Sequence, residues 1–100
     1  MRMIVTARHC EIPADLRQRA TDQVARLARI TRRPQRVEVI FDADHQQKVV
    51  ELRLSQPRGK VSIATAEADD FGTALDRAVQ KLRRQLDKPP ARARRRARTP

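Results

Sequence analysis

Arg77, Lys81, Arg84 and Lys88 recur at i, i+4, i+7 and i+11, with no acid on the same side. At 100° per residue they fall within about 60° of one another on a helix. Such a row repels itself by about a few tenths of a kcal/mol per i,i+4 pair, and a polyanion would offset that cost. An ordinary solvated face has the same look. A second group, Arg26, Arg29, Arg32, Arg33 and Arg36, puts five cations over a helix end and the loop after it. The negative end of a helix dipole accounts for one or two of them. Asp15 precedes Arg19 and Asp22 precedes Arg26 by four residues, so both arginines are expected in intrahelical ion pairs and leave the candidate set. At a third place Arg58 and Lys60 flank Gly59, where a hairpin tip could reach a phosphate or simply be polar. The chemistry in all three is attraction of phosphate.

Catalysis has less to work with. His9 and Cys10 are consecutive in a strand-like segment, where neighbours point to opposite faces, so they are poorly placed as base and nucleophile. Cys10 reads as a small core residue. His9, His45 and one cysteine do not make a zinc ligand set of known spacing, and no glycine loop cradles a phosphate. The expectation is a protein that is not an enzyme and needs no cofactor, metal or small-molecule substrate.

One hundred residues suffice for one modest core, and 23 lysines and arginines against 12 acids give a net charge of +11. Nucleic acid is the leading partner class. With two phenylalanines and no Trp or Tyr, the chain lacks a platform for stacking bases, so recognition rests on backbone charge and shape. No apolar run approaches the roughly 20 residues of a membrane span, and Arg8 interrupts the start before a signal-peptide core could form. A single cysteine fits a reducing compartment, and the expected location is the cytoplasm.

The elements that must carry these cations follow from periodicity. Met3, Val5 and Ala7 alternate as a first strand; from Pro13, Leu16, Ala20, Val24, Leu27 and Ile30 share one side of a helix ending near Ile30–Thr31, ahead of Pro34. Val37, Val39 and Phe41 make a second strand, Asp42 to Gln47 a polar turn, and Val50, Leu52 and Leu54 a third strand. Pro57-Arg58-Gly59 turns the chain into Val61, Ile63 and Thr65. Asp69 or Asp70 can cap a last helix whose stripe is Phe71, Ala74, Leu75, Ala78, Val79, Leu82 and Leu86. The order βαβββα predicts an α+β two-layer sandwich, with both helices on one face of a four-stranded sheet. Its first pair is parallel and the later strands antiparallel. From Lys88 on, six cations, two consecutive prolines and no acid predict a domain over 1–88 and a disordered basic tail over 89–100.

Particular residues within this order resemble a known family. Ile4-Val5-Thr6-Ala7-Arg8-His9-Cys10-Glu11-Ile12-Pro13 is similar to the strand, Gly-Arg-His turn and Glu-Ile-Thr/Pro helix start of the ribosome hibernation-promoting factors. These are also called ribosome-associated inhibitors or sigma-54 modulation proteins. Asp70-Phe71-Gly72-Thr73-Ala74-Leu75-Asp76 and Lys81-Leu82-Arg83-Arg84-Gln85-Leu86-Asp87-Lys88 resemble its two C-terminal signatures. Ala7 stands where the family usually has Gly, Gly72 lies in the last helix's first turn, and no aromatic follows Leu27 at Ala28 to Ile30. The resemblance, over about residues 3–88, implies a fold like a double-stranded-RNA-binding domain. It implies a short-form inhibitor that occupies the messenger and transfer RNA channel of the small ribosomal subunit, acting in stress or stationary phase by steric block. Its implied partners are the 70S ribosome and 16S rRNA, with no membrane. By residue it carries rRNA contact to Lys81, Arg84 and Lys88, with Arg8 and Arg77. Arg29, Arg32, Arg33, Arg36, Arg58 and Lys60 join them from the charge pattern. Two other readings stay open: a generic double-stranded-RNA binder, and a protein-interaction module acting on a sigma factor.

Overall fold

The alternation at the front of the chain becomes β1 (Arg2–Arg8), and the first apolar stripe becomes α1 (Ala14–Arg29) behind Pro13, whose extended backbone (φ −69°, ψ 160°) occupies the N-cap. The computed structural model describes residues 1–44 and 46–87. His45, Lys88 and the expected arm 89–100 lie outside the described residues. β2 (Arg36–Asp44), β3 (Gln47–Ser55) and β4 (Val61–Ala68) follow, then α2 (Phe71–Asp87). The sheet order is β1-β2-β3-β4, with β1 parallel to β2 and both later pairs antiparallel. This is the expected βαβββα arrangement with a four-stranded mixed sheet.

Cross-strand partners Val37 and Leu54, Val39 and Leu52, and Phe41 and Val50 share the face that the helices cover. Against them pack Ala20, Val24 and Leu27 of α1 and Ala74, Leu75, Ala78, Val79 and Leu82 of α2. Phe71 meets Phe41 edge-on at 5.5 Å between ring centroids. Both aromatic rings of the chain are thereby committed to the core side.

Four local expectations are corrected. The turn expected over Asp42 to Gln47 is shorter, since Asp42, Ala43 and Asp44 pair with Val49, Lys48 and Gln47; polar side chains do not stop a ladder made of backbone. β4 runs on to Ala68, and Ala64, Ala66 and Ala68 face the helices while Val61 and Ile63 are about half exposed (52% and 49%). Register decides this, because Leu52 and Val50 sit opposite Ala64 and Ala66. Ile30 is 44% exposed, having left the helical conformation as the C-cap (φ −98°, ψ 3°), and Thr31 is buried in its place. The Thr31 hydroxyl donates to Leu27 O at 2.6 Å. Finally, the two expected ion pairs within α1 do not form. Arg19 reaches across to Asp76 on α2 at 2.6 Å, Gln23 donates to the same carboxylate at 2.8 Å, and Asp22 accepts from Gln18. An acid shared between two helices satisfies more donors than one exposed on α1.

Topology also sets direction. α1 joins parallel neighbours and so runs antiparallel to both; α2 returns alongside β4. Both helices therefore aim their C-terminal ends at the end of the sheet where Arg2, Arg36, Ser55 and Val61 stand abreast.

Candidate nucleic-acid interface

α2 begins at Asp70, whose carboxylate accepts from the Thr73 backbone N–H at 2.7 Å and from its hydroxyl at 3.0 Å. Those hydrogen bonds, the backbone one first, hold the Asp70 carboxyl below the usual carboxylate range. Gly72 leaves room in this first turn: a Cβ there would lie 2.9 Å from Arg19 Nη1, the guanidinium that bridges to Asp76.

Along α2 the expected free ridge is only partly free. Arg77 Nη1 donates to Glu67 O at 2.9 Å, Lys81 Nζ to Thr65 O at 2.8 Å, and Gln85 Nε2 to Ile63 O at 2.8 Å. β4 is an edge strand, so alternate carbonyls point outward with no neighbouring strand to pair them. Four residues of helix advance about 6 Å and two residues of strand about 6.6 Å, so donors at i, i+4 and i+8 meet carbonyls at every second position. The side chains remain at the surface, but Arg77 and Lys81 are oriented by the protein's own backbone. Arg84, exposed one step round the helix, has no ion-pair partner among the described residues.

The other two clusters partly merge, bringing together Arg33 and Arg58, 25 positions apart in sequence. Arg32 and Arg33 from the loop after α1 and Arg58 and Lys60 from the β3–β4 connection line one open cleft of about 470 Å³, with Gln56 and Pro57. Gln56 Nε2 donates to Arg32 O at 2.7 Å, Gln35 N to Ser55 O at 2.9 Å, and Gln56 N to Lys60 O at 2.8 Å. Arg33 (φ 52°) and Arg58 (φ 68°) both hold left-handed backbone. No acid lines the cleft, and none of its four cations forms an ion pair among the described residues.

The remaining candidates lie elsewhere. Arg29 is exposed in the last turn of α1. Arg36 does not join Arg32 and Arg33; as the first residue of β2 it stands 3.9 Å from Glu38, in a second cleft with Arg53, Ser55 and Val61. Arg8 lies at the opposite end of the sheet, in register with Asp42. Sequence reading missed Gln85 and Gln56. The spacing of Gln85 from Arg77 and Lys81 was a usable signal, whereas nothing local marks Gln56 as the tie between two loops.

His9 and Cys10 do point apart, but not through strand alternation: β1 ends at Arg8, and the pair lies in a bend where His9 holds left-handed backbone (φ 55°). His9 Nδ1 lies 3.0 Å from Asp42 Oδ1, while the Cys10 thiol turns to Phe41 O at 3.6 Å. Burial, and after it the Asp42 carboxylate, push that thiol's pKa up, opposite to what activates a nucleophile. Among the described residues no group of three His, Cys, Asp or Glu gathers as metal ligands would, and no helix is long and apolar enough to cross a membrane.

Comparison with known proteins adds a family. The model of the family described as Sigma 54 modulation protein / S30EA ribosomal protein matches residues 3–94. A ribosome hibernation promoting factor from Pseudomonas putida is 33% identical over 88 residues, covering 88% of this chain and 85% of the relative. A ribosomal subunit interface protein from Coxiella burnetii has the same fold, with a TM-score of 0.76 at 24% identity, over 86% of this chain and 93% of that one. The N-terminal domain of Protein Y from Thermus thermophilus gives 0.73 at 25% identity, over 86% and 96%.

Proposed function

The chain belongs to the Sigma 54 modulation protein / S30EA ribosomal protein family, and from that premise we propose that it is a cytoplasmic ribosome-binding inhibitor of translation. It docks on the small subunit through 16S rRNA and blocks the messenger and transfer RNA channel in stress or stationary phase. The carrying observation is the distribution of charge. Both helix C-termini, with Arg29 and Arg84, and the loops bearing Arg32, Arg33, Arg58 and Lys60 gather at one end of the sheet, where the cleft cations have no acid partner among the described residues. Arg36 flanks this end, and Arg77 and Lys81 lie along the β4 edge; Arg8 stands apart from them at the opposite end of the sheet. Lys88 and residues 89–100 add six cations to the chain's charge and lie outside the described residues. Phosphate lining an RNA channel is the complement, and a rigid domain seated there stops translation sterically without bond chemistry.

A generic duplex-RNA binder would want the start of its last helix open to phosphate, and here the Asp70 carboxylate already occupies it. Sucrose-gradient sedimentation of a stationary-phase lysate tests the proposal. The protein should migrate with small subunits or whole ribosomes and be released by salt. A complex that survives nuclease and travels apart from ribosomes would support the sigma-factor reading instead.

A further inference from the structure

We infer that the cleft between the α1–β2 loop and the β3–β4 connection is a discrete clamp for neighbouring phosphates of an RNA backbone, built independently of the α2 ridge. It rests on the RNA-binding reading above. Four cations from two loops converge there without an acid. The walls are tied to each other through Gln56 to Arg32 and Gln35 to Ser55, so the two backbones that carry the cations are fixed relative to each other before any ligand arrives. Arg33 and Arg58 both hold a backbone conformation that glycine adopts freely and a residue with a Cβ does not. Left-handed residues of this kind gather at ligand clamps, and here both line the same cleft.

Lining chemistry chooses the ligand. Guanidinium and ammonium groups pair with phosphate oxygens, and the three arginines are able to bind them in bidentate fashion. A free nucleotide would also need a surface for its base. Both rings of the chain are in the Phe41–Phe71 pair, and Pro57 is the one lining residue whose side chain has no polar group. The ligand is therefore backbone phosphate, read without regard to sequence, as in recognition of A-form RNA by shape.

The test is fluorescence anisotropy of the full chain with a labelled RNA duplex of about 16 base pairs. Arg33→Gly with Arg58→Gly removes two guanidinium groups at positions whose backbone glycine suits. This pair should weaken binding about tenfold or more at 0.1 M salt and lower the magnitude of the salt slope by about 1.4 to 1.8. A charge-matched control, Arg17→Gln with Arg83→Gln, should weaken it by less than about threefold. Should the glycine pair melt early, Arg32→Gln with Lys60→Gln probes the same cleft at ordinary backbone angles and should match it in binding. Loss no larger than the control's overturns the clamp. Inorganic tripolyphosphate should compete with the duplex; saturable tripolyphosphate binding that leaves duplex affinity untouched makes the cleft a small-anion pocket and overturns the RNA assignment. If the wild-type protein fails to sediment with ribosomes, the broader reading fails while this titration stays decisive. If it sediments but the glycine pair behaves as the control does, the clamp alone fails.

Discussion

Two cationic regions of this protein look alike in sequence and differ in what surrounds their charges. On α2, Arg77 and Lys81 donate to Glu67 and Thr65 carbonyls and cover the β4 edge of the sheet. In the cleft, Arg32, Arg33, Arg58 and Lys60 have no acid partner among the described residues, and two of them hold left-handed backbone. A basic side chain on an edge strand's neighbour protects the fold from pairing with another chain. One held in an acid-free cleft contributes nothing comparable to folding. The difference teaches that net charge identifies the class of partner, while hydrogen-bond partners tell which cations remain available to it.

The largest break in this comparison is made under the ridge. Leu82→Ala, at a fully buried position, should cost about 2 to 5 kcal/mol in urea unfolding. A loss under about 1 kcal/mol would mean that α2 is not seated by this stripe. A smaller change separates neighbours on the helix. Lys81→Met should lower stability by about 0.5 to 1.5 kcal/mol through the lost bond to Thr65 O, and Arg84→Met should stay within about 0.5 kcal/mol. Equal effects would make the edge contact energetically idle. For the same reason Lys81→Glu with Arg84→Glu is expected to abolish ribosome binding with some loss of stability, read by pelleting and by circular dichroism.

The acidic start of α2 gives a pH-dependent contrast with its basic end. Asp70's carboxyl has a lower pKa folded than unfolded, so the stability it contributes is present above the unfolded carboxylate pKa and lost as pH falls through the folded value. Thermal melts on acidification should show that loss, and Asp70→Asn should flatten it; an unchanged profile in the variant would assign the acid sensitivity to other carboxylates. The smallest expected effect on folding comes from removing residues 89–100, which deletes five arginines. The melting transition should barely move, whereas the salt slope of ribosome binding should fall by about 1 to 3. An unchanged slope would leave the arm without a phosphate contact.

Much of the architecture was legible because apolar spacing is a local property. The stripe through Ala74, Leu75, Ala78, Val79 and Leu82 and the alternation of Val37, Val39 and Phe41 locate their own buried faces. β4 was harder, since its bulky residues face outward and its alanines inward. That choice depends on what β3 places opposite them, and no window of β4 contains that information.

By itself the sequence determined the order of elements, the two-layer class, the excess of cations and the absence of a base-stacking platform, all of which follow from composition and short periods. Tertiary structure decided which cations are free. Arg19 is drawn to an acid 57 positions away, Lys81 to a carbonyl 16 positions away, and Arg33 meets Arg58 because the parallel first pair brings α1's end to the same side as the last hairpin. Electrostatic attraction acts through space over a few ångströms, and the chain's neighbours in space are set by sheet register and crossover direction rather than by spacing along it.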